Sequence, residues 1–157
     1  MILRGFVEED FLQYREPAMC LIFPHCDLKC DRENGTSICQ NSSLLQQPTH
    51  SVSEDTIINR YLNNPIVKSI VIAGLEPFND FSQLNSFVNS FRKVSDDTIV
   101  IYTGYYKEEI KDYLEKLKKS TNIIVKFGRF IPGQKPHYDE VLGVNLASDN
   151  QYAERIC

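Results

Sequence analysis

Three cysteines, Cys26, Cys30 and Cys39, follow one another in a polar stretch with the spacing C-x3-C-x8-C. Their neighbours Asp27, Lys29, Asp31, Arg32 and Glu33 are charged, whereas an inert cysteine is ordinarily a small buried hydrophobe. Thiols gathered in such a loop offer thiolates to a soft metal ion or an iron–sulfur cluster; a structural or disulfide role is the competing reading. A closed zinc site takes four ligands, often as two C-x2-4-C arms. Only one arm, Cys26 with Cys30, is present, so Cys39 with Cys20, His25 or His50 would have to complete it. Cys20 lies inside an apolar run and reads first as a packed core thiol, and Cys157 stands far off. Three thiolates without a fourth suit a cubane 4Fe-4S cluster that keeps one iron open. An electron carrier fits less well, because ferredoxin clusters normally take four cysteines.

The elements that would position these thiols are legible from periodicity. Met19 to Phe23 is a short, continuously apolar run, as expected of a strand buried on both faces, and the cysteine loop follows it directly. Ser51 with Glu54 forms a candidate capping box for a helix carrying Ile57, Ile58, Tyr61 and Leu62 on one face. Ile66 to Ala73 is a second strand, ending in Gly74-Leu75-Glu76-Pro77. Phe81, Leu84, Phe87, Val88 and Phe91 recur at helical spacing. Thr98 to Thr103 is a third strand and Asn122 to Phe127 a fourth. Between them a helix over 107–119 places Ile110, Tyr113, Leu114 and Leu117 on one stripe, with Asp112/Lys116 and Glu115/Lys119 as surface pairs. Val141 to Ala147 reads as one last short strand.

Strand and helix alternate with short connections, which points to parallel β-α-β units with right-handed crossovers. Ligands of such sheets collect beyond the carboxyl ends of the strands. The cysteine loop, Gly74 to Pro77, Thr103-Gly104-Tyr105 and the residues from Lys126 onward are therefore the segments that face a site. The chain reads as a single domain over 1–157. Residues 1–17 form an N-terminal arm packed on the domain edge, 25–47 the cluster-binding loop, and 128–157 a C-terminal extension.

Composition narrows the classes. The 157 residues are 42% hydrophobic and 24% charged, the balance of an ordinary globular protein. A net charge of −4 argues against a nucleic-acid partner, which calls for a basic face. No apolar run approaches the ~20 residues of a membrane span. Five cysteines without a secretory leader read as reduced thiols in the cytoplasm.

Four segments carry a family resemblance. Phe23-Pro24-His25-Cys26-Asp27-Leu28-Lys29-Cys30, Cys39-Gln40-Asn41, Ala73-Gly74-Leu75-Glu76-Pro77 and Tyr102-Thr103-Gly104-Tyr105 occur in that order. Together they resemble the radical S-adenosylmethionine superfamily, and within it the activating proteins of anaerobic (class III) ribonucleoside-triphosphate reductase. The tail from Leu142 to Gln151 resembles that family's closing Gly-Ser-x-Asn-Gln, so the likeness spans roughly residues 17 to 156. Two departures stand out. The family spaces its cysteines C-x3-C-x2-C, so this chain carries six further residues before Cys39, with Ile38 preceding the third cysteine. Ala73 stands where a glycine is usual.

The resemblance implies an α/β fold, an incomplete parallel β/α barrel of the radical S-adenosylmethionine type. Cys26, Cys30 and Cys39 would ligate a 4Fe-4S cluster, with no catalytic residue beyond them. Ala73, Gly74, Leu75 and Glu76, with Thr103 and Lys126 at neighbouring strand ends, would bind S-adenosylmethionine. The implied activity is generation of a glycyl radical on the partner reductase, with an electron donor such as flavodoxin. The competing expectations are a radical enzyme with another substrate and a non-catalytic zinc- or cluster-bearing interaction module.

Overall fold

The apolar runs become strands because the tertiary structure covers both of their faces. The computed structural model describes residues 1–157. Its main sheet holds six strands: β2 (Gly5–Asp10), β3 (Ala18–Phe23), β5 (Ser69–Gly74), β6 (Thr98–Tyr102), β7 (Ile123–Phe127) and β10 (Tyr152–Arg155). Their spatial order is β10-β7-β6-β5-β3-β2. The four central strands are parallel and adjacent in chain order. Both edge strands run antiparallel to their neighbours. The fold is thus a mixed α/β single domain with a mostly parallel sheet.

Successive side chains of a strand point to opposite faces, and this alternation splits the core in two. Met19, Leu21, Phe23, Ile70, Ile72, Ile99, Ile101, Ile123 and Val125 face one way, into a core of 23 buried residues. All three long helices cover that face: α2 (Glu54–Asn63), α3 (Phe81–Phe91) and α4 (Lys111–Leu117). Ala18, Cys20, Val71, Ala73, Val100 and Ile124 face the other way. Tyr14, Leu142 and Leu146 cover them, contributed by the N-terminal segment and a hairpin of β8 (His137–Asp139) and β9 (Val144–Leu146).

The helices start and stop for local reasons. Ser53, not Ser51, caps α2: its hydroxyl accepts the Thr56 N–H, while Ser51 lies in β4 (His50–Ser51), which pairs with β1 (Ile2–Leu3). Asn64 and Pro65 follow the last turn, and proline cannot continue it. Asp80 caps α3 by accepting the Gln83 N–H at 3.3 Å. The third expected helix begins as a 3-10 turn over Lys107–Ile110 before α4. Two stripe residues lie outward instead, Leu62 at 52% and Tyr113 at 36% exposure. Tyr113 stacks on Phe81 with ring centroids 4.2 Å apart. The surface pairing is also shifted by one residue, Glu115 bridging Lys118 rather than Lys119.

The expected arm, residues 1–17, includes edge strand β2, paired with β3 through a register shift between Val7 and Asp10. The last apolar run is shorter than expected, Val144–Leu146, and lies in the separate hairpin. Edge strand β10 gave no apolar signal because Glu154 and Arg155 share it with Tyr152 and Ala153. No helix is long and apolar enough to cross a membrane.

Candidate functional site

Beyond the carboxyl ends of the parallel strands lies a cavity of about 430 Å³, within the ~300–1,000 Å³ range of small-molecule sites. Cys26, Cys30 and Cys39 line it. So do Ala73, Gly74, Leu75, Glu76, Thr103 and Lys126. All nine residues singled out from the sequence are thus brought to one cavity. Cys20 lines it too, although its thiol is only 2% exposed and accepts a hydrogen bond from Gln13 Nε2 at 3.4 Å. A second, more open depression of about 490 Å³ between Phe78, Phe81 and Tyr113 contains no cysteine.

Each thiol has its own support. Leu28 adopts φ +53°, which turns its N–H onto Cys26 Sγ at 3.3 Å. Asn79 holds the same turn by accepting the Asp27 N–H at 2.7 Å. Cys30 is the second residue of the short helix α1 (Lys29–Asn34), and the Phe130 backbone N–H favours its thiolate. Cys39 is fixed through its backbone, whose N–H donates to Asp31 at 2.8 Å. The segment between the second and third cysteines is therefore partly helical, where a polar loop was expected. Burial pushes the Cys26 thiol up to about 12, with the Leu28 N–H pulling the other way. Burial and the neighbouring Cys39 also raise Cys30, opposed by the Phe130 N–H and Arg129. Such thiols stay protonated at neutral pH until a metal displaces the proton, since a coordinating thiol is deprotonated outright.

No three His, Cys, Asp or Glu side chains converge on one point where a single ion would sit. A zinc site draws every sulfur to about 2.3 Å from one metal. A cubane cluster asks less convergence, because each cysteine binds a different iron. Three thiols spread around one cavity, with a backbone N–H donating to Cys26, match the chemistry of that donor set.

The strand ends are tightly knit. Glu76, 4% exposed, accepts hydrogen bonds from Thr103 Oγ1 at 2.8 Å, the Gly104 N–H at 2.8 Å and the Phe78 N–H at 3.1 Å. Burial raises its carboxyl to about 7 against the pull of those three donors. Lys126, 7% exposed, donates to the Gly128 carbonyl at 2.8 Å. Burial lowers its ammonium to about 8, and Glu76 and Cys30 oppose the shift. Asn41 ties the end of the cysteine segment to β5 by donating to the Gly74 carbonyl at 3.1 Å.

Gly74 sits at φ +97°, and a Cβ there would meet Ile22 Cγ2 at 2.5 Å. Its want of a side chain thus serves the packing of β5 on β3, while the residue also lines the cavity. Gly104 differs. A Cβ there would stand 3.6 Å from both Cys30 Sγ and Glu76 Oε2, so this glycine adjoins the site itself.

Two residues with local roles escaped the sequence reading. Asp31 looked like one more charge in a polar loop. Arg129, 3% exposed, forks onto Glu109 at 2.8 and 2.5 Å, reaches Glu33 at 3.0 Å and lies over the Tyr106 ring. Its position three residues past Lys126, beyond a strand end, was the available signal. The tail closes over this region: Asn150 donates to the Arg129 carbonyl at 2.8 Å, and Gln151 to the Gly128 carbonyl at 3.2 Å.

The sequence profile of one protein family, described as a 4Fe-4S single cluster domain, matches residues 17–151. No curated protein matches the chain at a significant level, and no solved structure does.

Proposed function

Since the chain belongs to the 4Fe-4S single cluster domain family, we propose that it is a radical S-adenosylmethionine activating enzyme for an anaerobic ribonucleoside-triphosphate reductase. The observation that carries this reading is the meeting of Cys26, Cys30 and Cys39 with the strand ends Ala73–Glu76, Thr103 and Lys126 around one cavity. A 4Fe-4S cluster held by those three cysteines would supply the one electron needed to cleave the sulfonium C–S bond of S-adenosylmethionine into methionine and a 5′-deoxyadenosyl radical.

The chain's own residues hold and orient. Cys26, Cys30 and Cys39 are the three ligands, and the Leu28 and Phe130 N–H groups stabilise the thiolate charge. Glu76 accepts three of the roughly four hydrogen bonds that two carboxylate oxygens can take, leaving capacity for the methionyl ammonium. Lys126 has donors to spare beyond its bond to Gly128 and suits the methionyl carboxylate. Helices on one sheet face with the cavity-lining residues on the other, over parallel strands in chain order, support an incomplete β/α barrel. A cavity of this size leaves no separate room for a large substrate, which favours a protein glycine as the hydrogen donor. That glycine must come within about 3–3.5 Å of the reacting carbon.

The test is anaerobic reconstitution with iron and sulfide, then reduction with S-adenosylmethionine and the cognate reductase, with flavodoxin as one electron source. Expected are 5′-deoxyadenosine and a glycyl radical doublet by electron paramagnetic resonance. Cleavage without the doublet would sink the partner and leave the radical chemistry. No cleavage in a fully loaded, reduced sample would favour a non-catalytic cluster module.

A further inference from the structure

The eight residues between Cys30 and Cys39 fold as a unit. Asp31 follows Cys30 in the first turn of α1. Its Oδ1 accepts the backbone N–H groups of both Ile38 and Cys39, each at 2.8 Å. Gly35 ends the helix at φ +67° with open space where a Cβ would stand. The demand there is for a left-handed residue, which reverses the chain. Residues 36–39 then come back to Asp31. The Asn34 side chain reinforces the turn by donating to the Cys30 carbonyl at 3.0 Å.

Ion pairs fix α1 on either side of Asp31. Lys29 pairs with Glu109, Arg32 with Asp27 at 2.8 Å, and Glu33 with Arg129 at 3.0 Å. Exposed pairs of this kind are individually weak, but Arg129 and Glu109 are drawn into one network here. The carboxylate of Asp31 is thus held by a docked helix while it grips the backbone of Cys39.

We infer that Asp31 is the positioning residue for Cys39, and that it closes the long C-x8-C gap to the span a cluster requires. One carboxylate oxygen with two charge-assisted hydrogen bonds does for this segment what a two-residue link does in a shorter loop. The inference rests on Cys39 being a ligand, as in the reading above.

Four proteins test it: wild type, Asp31→Asn, Asp31→Ala and Cys39→Ser. In the metal-free proteins, the rate at which iodoacetamide modifies Cys39 reports how often the segment opens. Asp31→Ala removes both hydrogen bonds and should raise that rate at least about tenfold, roughly what even one hydrogen bond to a charged group is worth. Asp31→Asn keeps an acceptor at the same place and should recover most of the protection. After reconstitution, iron per chain and the visible cluster absorbance should fall in Asp31→Ala and return in Asp31→Asn. Circular dichroism of the metal-free proteins checks the fold; should Asp31→Ala fail to fold, a smaller rise in alkylation for Asp31→Asn decides. Unchanged alkylation and unchanged iron in folded Asp31 variants would overturn the role of Asp31. Full iron in Cys39→Ser would overturn the ligand assignment on which it rests, an outcome visible independently of the Asp31 variants.

Discussion

Glu76 and Thr103 meet across the ends of β5 and β6, hydroxyl to carboxylate, at 2.8 Å in a buried setting. The Gly104 N–H reaches the other carboxylate oxygen at the same distance. The acid that closes the second parallel strand thus also fixes the backbone after the third, next to Cys30. One side chain thus ties three backbone and side-chain donors together at the rim of the cavity.

A glutamine at this position cannot serve both oxygens' donors. Glu76→Gln turns an NH2 group toward either Gly104 or the Thr103 and Phe78 donors, leaving a buried donor unpaired at about 1–3 kcal/mol. Denaturant unfolding of the metal-free protein at neutral pH should show a loss of that order. The variant should also lose a pH dependence. Glu76 titrates at about 7 when folded against a normal 4.5, so the folded state binds the extra proton between those values. Its contribution is present below about 4.5 and is lost as pH rises through about 7. Equal pH slopes over that window in variant and wild type would contradict the assignment.

Gly74 and Gly104 should respond differently to alanine. Gly74→Ala places a side chain at φ +97° against Ile22 and should cost about 1–3 kcal/mol from backbone conformation alone. Gly104→Ala meets only ordinary contacts at 3.6 Å and should leave metal-free stability within about 0.5 kcal/mol of wild type. Its methyl nonetheless stands beside Cys30 and Glu76, so the reconstituted variant should bind S-adenosylmethionine more weakly. Thermal unfolding and a binding titration separate the two; equal destabilisation would remove the distinction.

Acid should loosen the other side of the site first. Glu109 loses hydration, which alone would raise its carboxyl, but bonds from Arg129, Lys29 and the Tyr106 N–H outweigh this and hold it at about 2. A depressed carboxylate stabilises the fold above its normal 4.5, and that contribution is lost as pH falls from there through about 2. Wild type should therefore lose stability more steeply than Glu109→Gln between pH 4.5 and 2. Parallel acid-unfolding curves would count against the network.

The fold was legible wherever burial on both faces wrote a continuous apolar run, as in Met19–Phe23; the second run, read as Ile66 to Ala73, yields a strand only over Ser69–Gly74. It was not legible at β2 and β10, because Glu8, Glu9, Glu154 and Arg155 mix charge into half-exposed edges. The cavity's lining could be named from the rule that strand ends converge. What Glu76 does there could not, since its partners Thr103 and Gly104 are distant in sequence and meet it only through strand adjacency. Gly74 reads from the sequence as part of a cofactor-binding strand end; that its conformation also answers to Ile22 shows only once β3 lies beside β5. Asp31 was invisible for a related reason: a charged residue in a polar stretch announces no partner until the chain turns back on itself.

The most direct measurement of the central claim is electron paramagnetic resonance of the reconstituted, reduced protein before and after addition of S-adenosylmethionine. A cluster held by Cys26, Cys30 and Cys39 with one open iron should give a reduced 4Fe-4S signal that S-adenosylmethionine reshapes. Serine at any of the three should abolish the signal, while serine at Cys20 or Cys157 should preserve it. A cluster signal that S-adenosylmethionine leaves unchanged, or that survives loss of one of the three thiols, would contradict the assignment.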